Sequence, residues 1–208
     1  MIEKFNVHIS DKDIDELRTK IKLTRWPDEI NNERWSHGTS LSFLKKLSKY
    51  WLDDFDWRIH EDQINKIGSY KFKTKSGLKI HFLHSKSNKK NAIPIVMTHG
   101  WPGSIQEFLK IIPILHKESK IPIDIICPSL PGFGFSDKPK KTGMNSKQIA
   151  KLQHELMMNL GYKKYVVQGG DWGSTVSKWM AELYPEHCIG IHLNLVIAYP
   201  PEGDDPME

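Results

Sequence analysis

The sequence predicts an α/β fold, in which a mostly parallel sheet with flanking helices follows a helical N-terminal extension. Over residues 78–199, short apolar runs alternate with stretches of helical periodicity, which is typical of crossover units between parallel strands. Residues 1–75 differ, because their apolar residues follow helical spacing and aromatic side chains are frequent. A chain of 208 residues fits one domain with an extension.

Two helices are predicted in the extension. Ser10 can cap the first, whose apolar positions are Ile14, Leu17 and Ile21. Trp26-Pro27 ends this segment, because a residue before proline is disfavoured in the α region. A second helix is predicted from Ser40, and its apolar face consists of Leu41, Leu44, Leu47, Tyr50 and Trp51.

The rest of the chain is predicted to alternate between strands and helices. The predicted strands are residues 78–83, 93–98, 121–127, 165–168 and 189–195. The predicted helices are residues 105–115, 149–160 and 175–183. In sheets of this kind the chemistry lies at the carboxyl ends of the strands, and three motifs follow predicted strands.

Composition excludes several classes of protein. The net charge of +5 comes mostly from scattered lysines, and the one dense cluster, residues 86–90, is a polar loop without a nucleic-acid recognition motif. Cys127 and Cys188 are far apart, so we expect two reduced thiols rather than a disulfide framework or a zinc site. The sequence contains neither a run of 18 apolar residues nor a signal peptide, so we expect a soluble, cytoplasmic location.

The first motif is a strand, a sharp turn and a helix at residues 165–174, with the turn Gly169-Gly170-Asp171-Trp172-Gly173. A nucleophile elbow needs small residues two positions before and two after the reactive residue, and Gly169 and Gly173 meet that need. The pattern predicts Asp171 as the nucleophile. The alternative is that Asp171 only caps the following helix, which would not require glycine on both sides.

The second motif, Thr98-His99-Gly100-Trp101-Pro102-Gly103, follows the predicted strand 93–98. A loop at this place supplies one backbone N–H of an oxyanion hole, and the residue after the nucleophile supplies the other. The expected donors are therefore the N–H groups of Trp101 and Trp172, since Pro102 has no N–H. His99 is interpreted as a structural residue of this loop rather than as a general base.

The third motif, Pro131-Gly132-Phe133-Gly134-Phe135-Ser136, predicts a tight loop beside the same site. Its two glycines do not form a dinucleotide-binding fingerprint, because the third glycine is missing and no helix begins there.

Aspartate at the elbow restricts the reaction. A serine that attacked an epoxide carbon would form an ether, whereas a carboxylate forms an ester that water can cleave at the carbonyl carbon of the aspartate. Asp171 therefore indicates attack on sp³ carbon, in an epoxide or an alkyl halide, and argues against esterase or lipase activity.

The chain resembles the epoxide hydrolases of the α/β-hydrolase superfamily, in particular the microsomal and juvenile-hormone type. The resemblance covers nearly the whole chain. It rests on the three motifs, on residues 190–194, and on blocks of the extension: residues 24–28, Trp35, residues 50–52, 55–58 and 77–82. Dehalogenases share the aspartate elbow but lack this extension, which favours epoxides as substrates.

The resemblance implies a reaction that needs no metal or cofactor and a hydrophobic epoxide as substrate. It also implies a late histidine with an acidic partner, which activates water, and tyrosines of a cap domain, which polarise the epoxide oxygen. Only 37 residues, from Trp172 to Glu208, follow Asp171. His187 and His192 are interpreted as a surface and a core histidine, not as that base.

We therefore expect a C-terminally truncated member of this family. Residues 1–75 would be its N-terminal extension, residues 76–199 the first part of the hydrolase core, and residues 200–208 the start of a link to a cap domain. Two alternatives stay open: a non-catalytic pseudo-hydrolase that binds a hydrophobic ligand or a partner chain, and a haloalkane-dehalogenase-like hydrolase. The resemblance also allows association with microsomal membranes.

Overall fold

The structure is a computed structural model that describes residues 1–30 and 35–197. Its contacts divide the chain into two compact units, one of residues 7–63 and one of residues 1–6 with the described residues from 64 onward. The division lies before residue 75, because residues 69–73 form a strand of the main sheet. Residues 200–208, the expected link, lie outside the described residues.

Helices make up the unit of residues 7–63. Helix α1 (Asp11–Lys22) begins after Ser10, and α2 (Leu41–Asp53) after Ser40, and each serine side chain accepts a hydrogen bond from a backbone N–H of the first turn. Both predicted helices are confirmed. A third helix, α3 (Trp57–Ile67), was not predicted. Within the unit, the guanidinium of Arg58 contacts Glu61 and Asp11.

The other unit is built on one seven-stranded sheet. Its strands are β1 (Ile2–Lys4), β2 (Ser69–Lys73), β3 (Lys79–Ser85), β4 (Ile93–Thr98), β5 (Ile123–Pro128), β6 (Tyr165–Gly169) and β7 (Cys188–Leu193). Its helices are α4 (Ile111–Glu118), α5 (Ser146–Asn159) and α6 (Trp172–Leu183), and a 3₁₀ segment spans Ile105–Phe108.

The strands lie in the order β1-β2-β3-β5-β4-β6-β7. Strands β5, β4, β6 and β7 pair in parallel, whereas β1, β2, β3 and β5 pair in antiparallel fashion. The sheet is therefore mixed, and the α/β prediction is confirmed. The antiparallel half is larger than expected because β1 and β2, in the segment assigned to helices, join the sheet.

Helices α5 and α6 bury one face of this sheet. The core there joins Met157 and Leu156 of α5 and Met180 of α6 to strand residues such as Val96 and Val167. Burial of each large aliphatic side chain contributes roughly 1.5–3 kcal/mol. Because these contacts fix α6 against β4 and β6, the packing sets the position of the turn that precedes α6.

The two cysteines are unpaired thiols, as expected, and Cys127 is buried. Burial raises the pKa of the Cys127 thiol. Among the residues that the structure describes, no helix is long and apolar enough to cross a bilayer.

A buried histidine links β3 to β2 and to the residue that follows β5. His81 of β3 is fully buried, and its two ring nitrogens contact the hydroxyls of Ser69 and Ser129, each at 2.8 Å. Burial, with a smaller effect of Lys71, lowers the pKa of His81 to about 3. Burial also lowers the pKa of His84 to about 4. Folding therefore favours the neutral form of both rings.

This preference predicts a pH-dependent stability. In the unfolded chain a histidine binds a proton near pH 6.5, whereas folded His81 stays neutral to about pH 3. The contribution of His81 is therefore present above pH 6.5 and is lost as the pH falls toward 3. We expect His81 to account for a loss of roughly 1–2 kcal/mol in the free energy of unfolding between pH 7 and pH 5.

Urea unfolding from pH 8 to pH 5 measures this slope. A His81→Asn variant, which keeps polar atoms but loses the titrating ring, should show a shallower dependence below pH 6.5. A His81 ring that titrates near pH 6.5 by NMR in the folded protein would show the explanation to be wrong.

Candidate active site

The turn between β6 and α6 has a strained backbone at one residue. Asp171 has φ 52° and ψ −128°, a region that costs a non-glycine residue on the order of 1–3 kcal/mol. Its side chain makes no capping hydrogen bond to α6, although Asp171 lies at the cap position. The alternative that this aspartate only caps the helix therefore fails, and the carboxylate is available for another role.

Close approach of backbone segments explains the glycines of this turn. A Cβ added at Gly169 would lie 2.0 Å from the carbonyl oxygen of Gly173. A Cβ added at Gly173 would lie 2.0 Å from the carbonyl oxygen of Thr98, at the end of β4. Neither position has room for a side chain. At Gly170 an added Cβ would meet Asn194 only at 3.4 Å, so space alone does not require glycine there.

The loop after β4 approaches the Asp171 carboxylate. The N–H of Trp101 donates a hydrogen bond to Oδ1 of Asp171 at 2.8 Å. Gly100 lies against the same carboxylate, since a Cβ added there would be 2.4 Å from Oδ1. The two motifs, 70 residues apart in sequence, therefore form one site, with one of the two expected N–H donors directed at the carboxylate.

The second expected donor is the N–H of Trp172. Trp172 is the first residue of α6, and the first N–H groups of a helix have no partner within the helix. This N–H makes no hydrogen bond to Asp171 in the described part of the chain, so its role as an oxyanion donor stays a prediction. Trp101 and Trp172 are 65% and 54% exposed as whole residues.

His99 is held inside the loop by both ring nitrogens. Nδ1 contacts the carbonyl oxygen of Gly100 at 2.9 Å and therefore carries the proton, while Nε2 accepts a hydrogen bond from the N–H of Leu130 at 3.1 Å. Burial lowers the pKa of His99, although the bond to Gly100 opposes it. Because both ring nitrogens are hydrogen-bonded, His99 holds the loop together and has no free nitrogen to act as a general base.

The third motif supports this histidine. Phe133 packs edge-on against the His99 ring, with ring centroids 5.6 Å apart. The hydroxyl of Ser136 donates to the carbonyl oxygen of Ser129 and accepts from the N–H of His81. Gly132 and Gly134 have φ of 85° and 50°, which favours glycine at both turns. Pro131–Ser136 thus packs against the loop that follows β4 through the His99 ring.

The two later histidines, His187 and His192, lie next to and within β7. His187 precedes β7, at the amino ends of the parallel strands, and its Nδ1 contacts the carbonyl oxygen of Lys163. His192 lies within β7 and pairs with Gln168 in register. It is exposed, so the expectation of a core histidine is wrong. The physical reason is that β7 is the last strand of the described sheet and pairs on one side only.

One acidic residue near the site was not predicted. Glu107, in the 3₁₀ segment after the oxyanion loop, has its carboxyl beside Gly103. Burial raises the pKa of Glu107, and the charge of Asp171 raises it further. No sequence motif marks this residue, because its position depends on how the segment turns after Ser104. Among the described residues, no group of three histidine, cysteine or acidic side chains could hold a metal ion.

Comparisons with known proteins point to one family. Residues 2–108 match the family model described as the epoxide hydrolase N terminus, and residues 93–208 match the alpha/beta hydrolase fold. A putative epoxide hydrolase of Stigmatella aurantiaca is 43% identical over 205 residues, which cover 96% of this chain and 46% of that protein. Epoxide hydrolase 1 of Sus scrofa is 40% identical over 206 residues, covering 94% of this chain and 45% of that protein.

Solved structures show the same relation. The juvenile hormone epoxide hydrolase of the silkworm Bombyx mori superposes with a TM-score of 0.85 at 34% identity. The superposition covers 94% of this chain and 53% of the silkworm protein chain. The Aspergillus niger epoxide hydrolase superposes with a TM-score of 0.85 at 32% identity, covering 98% and 55%. The chain spans about half the length of the curated relatives it matches.

The glycine contacts predict a difference between two alanine variants. Gly173→Ala would bring a Cβ within 2.0 Å of the Thr98 carbonyl oxygen, a backbone atom that cannot rotate away. We expect it to lower the free energy of unfolding by about 1–3 kcal/mol or more. Gly190→Ala is the matched control, because its Cβ would meet Val166 at an ordinary 3.5 Å, and its effect should stay within about 0.5 kcal/mol.

Chemical denaturation of the two variants and the parent chain measures the difference. Equal stability of the Gly173→Ala and Gly190→Ala variants would contradict the close approach of α6 to β4.

Proposed function

The chain belongs to the epoxide hydrolases of the α/β-hydrolase superfamily, and we propose that it opens epoxides toward vicinal diols through an ester on Asp171. One observation carries the proposal: the Trp101 N–H donates a hydrogen bond to Oδ1 of Asp171. The Asp171 carboxylate is held there although it does not cap α6. The fold holds this carboxylate in a strained turn, with one oxygen bound to an oxyanion donor. Such strain is common where a reactive group must be displayed.

In the first step, Asp171 attacks an epoxide carbon. With Oδ1 bound by the Trp101 N–H, Oδ2 is the attacking oxygen. A bond forms between Oδ2 and the carbon, the carbon–oxygen bond of the ring breaks, and its electron pair stays on the epoxide oxygen, which then takes up a proton. The product is an alkyl ester of Asp171 that carries a neighbouring hydroxyl group.

In the second step, water adds to the carbonyl carbon of that ester. Negative charge then develops on Oδ1, and the Trp101 N–H already points at this atom. The bond between the carbonyl carbon and Oδ2 then breaks, and Oδ2 leaves as an oxygen of the diol. One proton of the water goes to the diol and the other to the solvent, and Asp171 is restored as a carboxylate that carries the water oxygen. The Trp172 N–H, at the start of α6, is the proposed second donor. The resemblance implies a histidine with an acidic partner as the base. His99 is not assigned this role, because both of its ring nitrogens are hydrogen-bonded. His187 is not assigned it either, because it lies at the amino ends of the parallel strands, whereas Asp171 follows the carboxyl end of β6.

The substrate class that fits best is an apolar epoxide. Two tryptophans, Trp101 and Trp172, are largely exposed; Trp172 follows Asp171 in the chain, and the backbone of Trp101 is bound to its carboxylate. Aromatic side chains of this size bind apolar groups well. Relatives of this chain include proteins named juvenile hormone epoxide hydrolase. A hydrophobic epoxide is therefore the proposed ligand.

An alkyl halide would suit the same nucleophile, because its attack also occurs at sp³ carbon and gives the same ester. The match of residues 2–108 to the epoxide hydrolase N terminus favours the epoxide. A role as a binding protein without chemistry gives no reason for the strained backbone at Asp171.

The proposal predicts covalent capture of an epoxide at one residue. Incubation with a small reactive epoxide should add its mass to the peptide that contains Asp171, measured by peptide mapping. Asp171→Asn should slow this modification roughly a thousandfold or more, as removal of a nucleophile does in general. Asp62→Asn removes an exposed carboxylate of α3 and should leave the modification unchanged.

Modification that persists in the Asp171→Asn variant, or that occurs first at another residue, would count against Asp171. Capture of a haloalkane in strong preference to every epoxide would favour the dehalogenase-like alternative.

A further inference from the structure

The 3₁₀ segment after the oxyanion loop carries a carboxylate that the two proposed steps do not use. Ser104 caps this segment, and its side chain accepts a hydrogen bond from the N–H of Gln106. Ile105 and Phe108 are buried beneath the segment, whereas Glu107 is exposed. The packing of Ile105 and Phe108 therefore fixes the segment and keeps Glu107 at the surface beside the loop.

The Glu107 carboxyl fills the space that glycine leaves at position 103. A Cβ added at Gly103 would lie 1.6 Å from Oε1 of Glu107 and 3.4 Å from the carbonyl oxygen of Gly100. Gly100 in turn contacts Asp171, as its own added Cβ would lie 2.4 Å from Oδ1. The loop of residues 100–103 therefore meets two carboxyl groups, that of Asp171 at Gly100 and that of Glu107 at Gly103.

The two carboxyl groups also interact through charge. Burial raises the pKa of Glu107, a hydrogen bond from the backbone of Ser104 opposes this effect, and the negative charge of Asp171 raises the pKa further. The groups that act on Glu107 are thus the Ser104 backbone of its own turn and the Asp171 carboxylate from the end of β6. Like charges at one site disfavour the state in which both are ionised.

We propose that Glu107 is a positioning residue of the same site, which holds the 100–103 loop and whose negative charge favours the step that neutralises Asp171. The inference rests on the proposed function, because ester formation is the event that neutralises Asp171. It assigns Glu107 no contact with the substrate. Glu107 acts through the nucleophile and through the loop that carries the Trp101 N–H.

The coupling has a definite direction. Before the reaction, the charge on Asp171 favours the protonated form of Glu107. Ring opening transfers the electron pair of the broken carbon–oxygen bond to the epoxide oxygen, and the esterified Asp171 is neutral. The pKa of Glu107 then falls, because the neighbouring negative charge is gone. Where Glu107 is already ionised, esterification removes repulsion between two carboxylates, so an ionised Glu107 speeds the attack.

Titration by NMR tests the coupling without any chemistry on substrate. Asp171→Asn places a neutral group of similar size at the nucleophile, as the ester would. The carboxyl carbon of Glu107, labelled with ¹³C, should titrate at a lower pH in Asp171→Asn than in the parent chain. The Glu118 carboxyl, at the end of α4 and paired with Lys117, serves as an internal control and should titrate alike in both.

The rate of epoxide capture tests the consequence. Glu107→Gln keeps an oxygen that can accept the Ser104 N–H but removes the charge, so a purely structural role would survive it. We expect capture by Glu107→Gln to be about tenfold slower at a pH where Glu107 is ionised, which corresponds to one pKa unit of coupling. The difference should vanish at low pH and shrink at high salt, since exposed charges are screened.

Two further variants complete the design. Glu107→Asp retains the charge and should recover part of the rate, and Glu118→Gln removes a carboxylate elsewhere and should behave as the parent chain. Two results would overturn the inference. One is that Glu107 titrates at the same pH in Asp171→Asn and in the parent chain. The other is that Glu107→Gln and the parent chain capture the epoxide with the same pH profile. If no epoxide is captured at Asp171 in any variant, the proposed function fails, while the titration still decides the coupling.

Discussion

The amino end of α6 lies against the carboxyl end of β4, and the site depends on this contact. At Gly173 the backbone of α6 comes so near to the carbonyl oxygen of Thr98 that a Cβ would lie 2.0 Å from it. The buried side chains of α5 and α6 hold the helix there. Because the strand–turn–helix connection must fit between β6 and this contact, Asp171 adopts a positive φ and projects its carboxylate toward the loop after β4.

The loop after β4 then completes the arrangement. His99, fixed at both nitrogens and packed by Phe133, sets the path of the chain through Gly100 to Trp101. The Trp101 N–H meets Asp171 as a result, and the strain at Asp171 is offset by packing in the core rather than by a capping bond. The position of the Asp171 carboxylate and its bond to the Trp101 N–H are thus two consequences of one packing arrangement, and the proposed chemistry rests on both.

Parts of this arrangement could be predicted from the sequence wherever only one physical property explains why a given residue type stands at a position. Glycine on both sides of Asp171, a proline without an N–H after Trp101 and apolar runs of strand length are such cases. Strand β1 was missed because it has only three residues and its partner, β2, lies far along the chain, so pairing and not local pattern decides it. Strand β2 was missed although Tyr70 and Phe72 alternate with lysines and β2 pairs with the nearby β3, because it lies in the segment assigned to helices. Glu107 was missed because only the turn after Ser104 brings it to Gly103. His192 was misjudged because the sequence does not show that β7 is the last strand of the described sheet.

The central claim is that Asp171 attacks with Oδ2 while Oδ1 stays bound to the Trp101 N–H. A crystal structure of the chain soaked with a small epoxide tests it most directly. We predict continuous electron density from Oδ2 of Asp171 to an epoxide carbon, with Oδ1 still within hydrogen-bonding distance of the Trp101 nitrogen. Density joined to another side chain, or an unmodified Asp171 whose carboxylate has turned to cap α6, would contradict the account.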